Sequence, residues 1–322
     1  MFTRAPNPGE PDRPLSDVRT DLVWRCPGCG GELISLDSDR KSCPEERQIY
    51  SREQGIWRFL TPDRAARYER FSQDYLTVRK AEGRGSHDPE YYRAFPFPAA
   101  SGKFRREWRI RAKTYEAFVR EVLTGKEDAG RRLEVLDLGA GNCWFSNRIR
   151  MRGHHPTAVD LLVDAEDGLG AHRHYQTTFR VVQAEFDRLP FAGGQFDLVV
   201  FNASLHYSTD YELTLNTAMR QLKPDGLLVV MDSPIYRDPA SGNQMVRERA
   251  ELFQSKYGLK SDSLPSKNFL TLDQLEYLAS VLGIHWRFIK PRYGLAWALR
   301  PWTAKLQGRR EPATFLLLVT SR

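Results

Sequence analysis

The sequence has no apolar run near the ~18 residues that would cross a bilayer, and its opening MFTRAPNPGEPDRPL holds no apolar stretch of the kind that marks a secretory signal. These absences predict a soluble, cytoplasmic protein with no membrane partner. Cysteine is scarce, with four thiols (Cys26, Cys29, Cys43 and Cys143) in 322 residues. They are too few and too unevenly placed for a disulfide scaffold, which leaves reduced thiols or a metal site. Charge of one sign is not in large excess either. A formal net charge of +7 on this length keeps a chain soluble and favours acidic partners without requiring them.

What is present is enough apolar matter, 41% of residues, for one core of roughly 200 residues and a smaller appendage. Residues 1–20 carry Pro6, Pro8, Pro11 and Pro14 among polar neighbours and read as a flexible tail. Residues 21–62 change to short β-like runs around CPGCGG and GIWRFL, a small β-rich module. Over 63–130 the pattern is helical, with Phe104, Trp108, Tyr115, Phe118 and Val122 recurring on one face, and predicts a linker or lid. From 131 to 322 strands alternate with helices. LEVLDLG, PTAVDL, FRVVQAEF, FDLVVFNAS and LLVVMDSP read as strands, WFSNRIRMRG and YELTLNTAMRQLKPDG as helices, and TLDQLEYLASVLG as a helix before two last strands, HWRFIK and ATFLLLVTS. Such alternation predicts an α/β fold, a doubly wound and mostly parallel sheet covered on both faces.

The turn in LEVLDLGAGNCWFSNRI, Leu133–Ile149, passes from strand to helix and so presents backbone N–H groups at the carboxyl edge of the sheet, where open α/β sheets bind ligands. A dinucleotide loop needs a third glycine, and Trp144 stands in its place; a P-loop needs Gly-Lys-Ser/Thr, and GNCWFS has no lysine. The stretch resembles instead the first motif of the class I S-adenosylmethionine-dependent methyltransferases of type-11 kind. An acidic residue there precedes G-x-G-x-G, here DLGAGNC with Cys143 at the last glycine position. TAVDLL, AEFDRLPF, FDLVVFNASLHY and LKPDGLLVVMD resemble the family's later motifs, in order, and the resemblance spans Leu133 to Arg322.

The resemblance implies a seven-stranded sheet and S-adenosylmethionine as cofactor. It places Asp137, Gly139, Ala140, Gly141 and Asn142 at the methionyl end, Asp160 and Leu161 at the ribose, Glu185 and Phe186 at the adenine, and Asn202 and Ala203 beside the reacting methyl. Cys143 fits a glycine place if its dihedrals are helical. Methyl transfer is an in-line displacement, so the protein's task is alignment, with a base only if the acceptor must lose a proton. His206 is the candidate base, because an unperturbed imidazole titrates near pH 6.5, with Tyr207 beside it; a structural histidine is the competing reading. Asp232 and Tyr236 are weaker candidates for the acceptor pocket. NASLHY is not the N-P-P-Y type of motif with which base-methylating enzymes hold a planar nitrogen, so a small or medium-sized metabolite with an oxygen, carbon or nitrogen acceptor is expected.

The segment from Cys26 to Leu60 resembles the small zinc-ribbon domain of some ribosomal RNA methyltransferases and of activator subunits of tRNA methyltransferases. A closed zinc site takes four ligands, and here Cys26, Cys29 and Cys43 are followed by Pro44, Glu45, Glu46 and Arg47. Glu46 is the candidate fourth ligand, and a metal-free ribbon held by its aromatic core is the alternative. Lys103 to Lys113 holds six cations and one Glu, and RPWTAKLQGRR four more. Together they suit either solvated helix faces or an electrostatic funnel for RNA. The rival to a metabolite enzyme is therefore an RNA methyltransferase, or a non-catalytic RNA-binding or activator protein on the same scaffold.

Overall fold

The computed structural model describes residues 22–97, 103–259 and 263–321. The tail expected over 1–20 lies outside them. The chain opens with four short strands, β1 (Ile34–Ser35), β2 (Arg40–Cys43), β3 (Gln48–Glu53) and β4 (Ile56–Arg58). A helical region follows: α1 (Pro62–Ala81), α2 (Pro89–Arg93), α3 (Arg105–Phe118), a π-helical turn at Val119–Leu123, and α4 (Thr124–Asp128). The alternating part then runs β5 (Glu134–Leu138), α5 (Trp144–Met151), β6 (His155–Asp160), β7 (Arg180–Gln183), β8 (Phe196–Asn202), α6 (Tyr211–Arg220) and β9 (Leu222–Met231). After it come β10 (Ile235–Tyr236), α7 (Pro239–Tyr257), β11 (Leu270–Thr271), α8 (Leu272–Leu282), β12 (His285–Ile289), α9 (Leu295–Ala298), α10 (Arg300–Leu306) and β13 (Leu317–Ser321).

The seven expected strands lie side by side in the order β7-β6-β5-β8-β9-β13-β12. The first five are parallel; β13 runs antiparallel to β9, and β12 to β13. The reversal of strand order at β5, with β6 and β7 to one side and β8 and β9 to the other, opens a crevice at the carboxyl ends of β5 and β8, where the candidate site lies.

The sheet does not stop at β7. Strand β4 pairs in parallel with it, Ile56 opposite Val181, Trp57 opposite Val182 and Arg58 opposite Gln183, and carries β3, β2 and β1 along to make eleven strands. The N-terminal module therefore continues the central sheet. Its side chains say why: Ile56 is buried in the cluster on one face with Val181 and Ala158, while Trp57 and Phe59 pack into the other with Val182 and Phe191. A strand apolar on both faces is an interior strand.

Local chemistry adjusts other boundaries. Helix α6 ends at Arg220, short of the expected KPDG, because Pro224 offers no N–H to continue a helix; those residues start β9 instead, across a register shift between Phe196 and Leu198. Helix α7 was not foreseen, since its sequence is mostly polar and only Ser241 and Gly242 are buried. The loop expected between the last two strands contains the short helices α9 and α10.

Candidate functional site

The loop after β5 wraps the end of β6, with the N–H groups of Gly139 and Ala140 donating to the Val159 carbonyl at 2.8 and 3.0 Å. Gly139 has φ +78°, and a Cβ there would collide with Ser204, so only glycine fits. Gly141, at φ +52°, borders open space. Cys143 differs from its expected helical dihedrals: φ is +63° and ψ 16°, a left-handed conformation. It thus occupies a true glycine position, its thiol fully buried, and burial pushes that thiol's pKa far above the ordinary value. A protonated thiol of this kind is inert packing.

Asp160, at the end of β6, accepts from the Gly141 N–H through one carboxylate oxygen and from the Leu162 N–H through the other, both at 2.8 Å. It locks the glycine loop and shares a cavity with Gly139, Gly141, Leu161, Phe186 and Ala203. Ala140, Asn142, Trp144 and Asn202 line the neighbouring cavity on the side of β9. Asp137 lines neither: fully buried, it accepts from Ser146 Oγ at 2.7 Å, and burial raises its carboxyl to about 7. Its place is beneath the loop, steadying the start of α5.

Glu185 lies in the first cavity, but its carboxylate is already engaged. Arg64 grips both oxygens, and Tyr68 Oη donates to Oε1 at 2.7 Å. Burial works to raise the carboxyl, yet the bonds from Arg64 and Tyr68 outweigh it and hold the pKa below the usual range. The sequence reading missed these partners, all from α1, which roofs the cavities with Tyr68, Phe71 and Tyr75 and anchors through Arg79 on Asp167, 2.9 Å from Nη2 to Oδ1. The signal was an aromatic and arginine stripe at spacings of three and four along that helix.

Tyr207 stands where the cavities meet, its ring edge-on to Phe71 and Tyr75 with centroids 6.1 and 6.3 Å apart. His206, beside it, is buried with Nδ1 3.3 Å from Ser233 Oγ. Burial, aided by the charges of Arg249 and Arg111, lowers its pKa to about 3, far from the ordinary imidazole on which its candidacy rested. Asp232 borders the same cavity from the end of β9. Its Oδ1 accepts from Thr114 Oγ1 at 2.6 Å on α3, while Oδ2 is buried with no hydrogen-bond partner among the described residues, as is Asn202 Oδ1. Burial raises the Asp232 carboxyl. Ala203 and Asp232 have φ of +57° and +55°, conformations that non-glycine residues adopt at some cost and that cluster at functional sites. Tyr236 is turned away from this chamber, with Arg310 Nη1 donating to its hydroxyl at 3.1 Å.

These features fit S-adenosylmethionine. The orphaned buried oxygen of Asn202, Oδ1, suits an ammonium donor, an open glycine loop suits close backbone approach, and the Asp160 carboxylate retains lone pairs for hydroxyl groups.

In the N-terminal module the sulfur atoms of Cys26, Cys29 and Cys43 lie within 4.8 Å of one another. Glu46 Oε2 is 3.6 Å from Cys26 Sγ, and the same carboxylate leaves no room for a Cβ at Gly28. Three converging thiols, with the Glu46 carboxylate beside Cys26, fit the donor types of a tetrahedral zinc site. The basic run on α3 divides: Arg111 turns inward and pairs with Glu107 at 3.3 Å, whereas Arg105, Arg106, Arg109 and Lys113 are exposed. Among the described residues no helix is long and apolar enough to cross a membrane.

A family model described as a methyltransferase domain matches residues 136–230. The malonyl-[acyl-carrier protein] O-methyltransferase of Erwinia pyrifoliae is 36% identical over 97 residues, 30% of this chain and 36% of the relative. The ubiquinone/menaquinone biosynthesis C-methyltransferase UbiE of Shewanella halifaxensis is 31% identical over 169 residues, 49% of this chain and 63% of the relative. The matches thus span about a third to two thirds of these relatives' lengths. Among solved structures, an S-adenosylmethionine-dependent methyltransferase from Mesorhizobium loti is 20% identical with a TM-score of 0.42, over 59% of this chain and 91% of that one. Residues 136–230 thus match a methyltransferase domain, and the sheet around the glycine loop has the strand order expected of the class I methyltransferase fold.

Proposed function

We propose that the protein transfers a methyl group from S-adenosylmethionine to an oxygen, carbon or small-molecule nitrogen of a metabolite. The observation that carries this reading is the half-open cleft behind Tyr207, roofed by α1 and α3, which adjoins the glycine-loop cavity and suits a small acceptor better than a flat nucleic-acid surface. The relatives' names, an O- and a C-methyltransferase, agree with it. When bound, S-adenosylmethionine supplies an electrophilic methyl group. The residues of the chain bind and orient around it: Asp160 for the ribose hydroxyls, the Gly139–Gly141 backbone and Asn202 for the methionyl end, and Phe186 for the adenine. Glu185, held by Arg64 and Tyr68, ties the α1 roof to the sheet. Tyr75 and Tyr207 screen water from the chamber. For a hydroxyl acceptor, Asp232 Oδ2 is the better placed proton acceptor, because burial strengthens this carboxylate as a base and weakens His206. Incubation with S-adenosylmethionine and a panel of hydroxyl, enol and amine metabolites is expected to release S-adenosylhomocysteine with at least one. No turnover on any of them, together with RNA binding that falls steeply with salt, would instead support the RNA-binding scaffold.

We also propose that Cys26, Cys29, Cys43 and Glu46 hold a zinc ion. The purified protein should contain about one zinc per chain, and cobalt substitution should give thiolate-to-cobalt absorption in the near ultraviolet. Glu46→Gln is expected to keep that absorption and weaken metal affinity roughly 10- to 100-fold, in the range seen when a supporting group at a metal site is lost. Absence of both zinc and the cobalt band would leave a ribbon held by Trp24, Tyr50 and Phe59 alone, whose rings lie 4.9 to 5.3 Å apart.

A further inference from the structure

Beyond Tyr207 a further cavity lies between α1 and α7, walled by Phe71, Tyr75, Phe253 and Leu264. The charged groups that border it are almost all matched. Arg79 is held by Asp167, Arg84 by Glu82 and Glu107, and Asp74 by Arg70 at 3.7 Å. Arg249 is the exception. It has neither a hydrogen bond nor an ion pair among the described residues, its Nε is buried without a partner, and the Phe253 ring, 6.0 Å away, is its packing neighbour. Burial depresses its pKa, which shows how little around it favours the charge. On the same wall Ser266 Oγ is also buried, with no partner among the described residues. A buried guanidinium N–H without an acceptor is costly to desolvate, and an oxyanion entering the cavity would supply the missing acceptor.

We propose that Arg249 and Ser266 receive an oxyanion, a carboxylate or a phosphate, carried by the acceptor at the end remote from the atom that is methylated. The planar fork of arginine donates two parallel N–H bonds to either group, and the serine hydroxyl donates a third. The aromatic and aliphatic wall around them selects an apolar body between that anion and the methyl-accepting atom. The acceptor is thus an amphipathic acid. This inference rests on the methyltransferase reading, because the cavity adjoins the cofactor side across Tyr207, Tyr75, Phe71 and Leu264.

Calorimetry with octanoate, octyl phosphate and octanol as probes tests it, on protein saturated with S-adenosylhomocysteine. Wild type should bind at least one of the two anions about tenfold or more tightly than octanol, the weight of one or two charge-assisted hydrogen bonds, and the tighter anion identifies the source. Arg249→Gln should abolish that preference without altering affinity for S-adenosylhomocysteine, and Arg249→Lys should restore part of it. Arg249→Met should melt at a higher temperature than wild type in the absence of probe, since an unpartnered buried N–H is gone. Equal binding of all three probes by wild type, or unchanged anion preference in Arg249→Gln, would overturn the proposal. The methyltransferase reading fails on a different result, the absence of S-adenosylhomocysteine binding by wild type, so the two outcomes are distinguishable.

Discussion

Asp160→Ala is expected to lower affinity for S-adenosylmethionine by about 100-fold or more, as measured by calorimetry. The carboxylate does two things at once. It offers its free lone pairs to the cofactor, and it holds the Gly141 and Leu162 N–H groups that give the glycine loop its shape. Two charge-assisted hydrogen bonds at roughly 1.5–3 kcal/mol each are lost, and at about 1.4 kcal/mol per tenfold this alone accounts for the expected change. Two buried N–H groups are also left without acceptors, so the variant should melt several degrees lower. Saturation with S-adenosylmethionine at wild-type concentrations would contradict the assignment of this loop as the cofactor cradle.

Asp232→Asn is expected to cut turnover on a hydroxyl acceptor by about 100- to 10,000-fold, the usual cost of losing a positioned base, while cofactor affinity falls far less. Asparagine is a clean replacement here. It keeps the shape and the acceptor for Thr114 Oγ1, and it tolerates the left-handed backbone at φ +55°. His206→Gln should separate from it by its response to pH. With a folded pKa of about 3 and an unfolded one near 6.5, His206 is neutral in the native state while the unfolded chain takes up a proton. The unfolded state therefore binds more protons between those values, and stability falls as pH drops below about 6.5. Melting temperatures from pH 7 to 4.5 should decline less steeply in His206→Gln than in wild type, with His154, His155 and His172, also depressed by burial, supplying the remaining slope. Full turnover in Asp232→Asn with collapse in His206→Gln would return the role of base to the histidine.

The parts of this structure that could be read in advance are those whose local pattern and tertiary setting agree. The strand, glycine turn and helix from Leu133 to Ile149 were visible because an apolar run, two glycines and a helical stripe all pointed one way, and Asp160 followed as the residue ending the next strand. Side-chain pairing across long separations was not visible. Nothing near Glu185 in sequence indicates that Arg64 and Tyr68, more than a hundred residues earlier, occupy its oxygens. The pKa of His206 is a product of burial, which a motif does not encode. Helix α7 did leave a signal in Asp238-Pro239 at its start, where Asp238 accepts from the Ala240 N–H, and in Gly258 at its end with φ +68°. Its polar face hid the period that would have confirmed it. The extension of the sheet was legible only in hindsight, from the adjacent Ile56 and Trp57 that demand cover on opposite faces.

That extension changes what the N-terminal module is for. A sheet ending at β7 would present the backbone of Arg180–Gln183 as a bare template for strand addition, the usual starting point of aggregation between copies. Strand β4 occupies that template, and each strand laid outside it is shorter or more polar than the one it covers, until the outermost, β1, is two residues long with both exposed. The module works as a hem, finishing an edge that the central sheet would otherwise leave open to its neighbours.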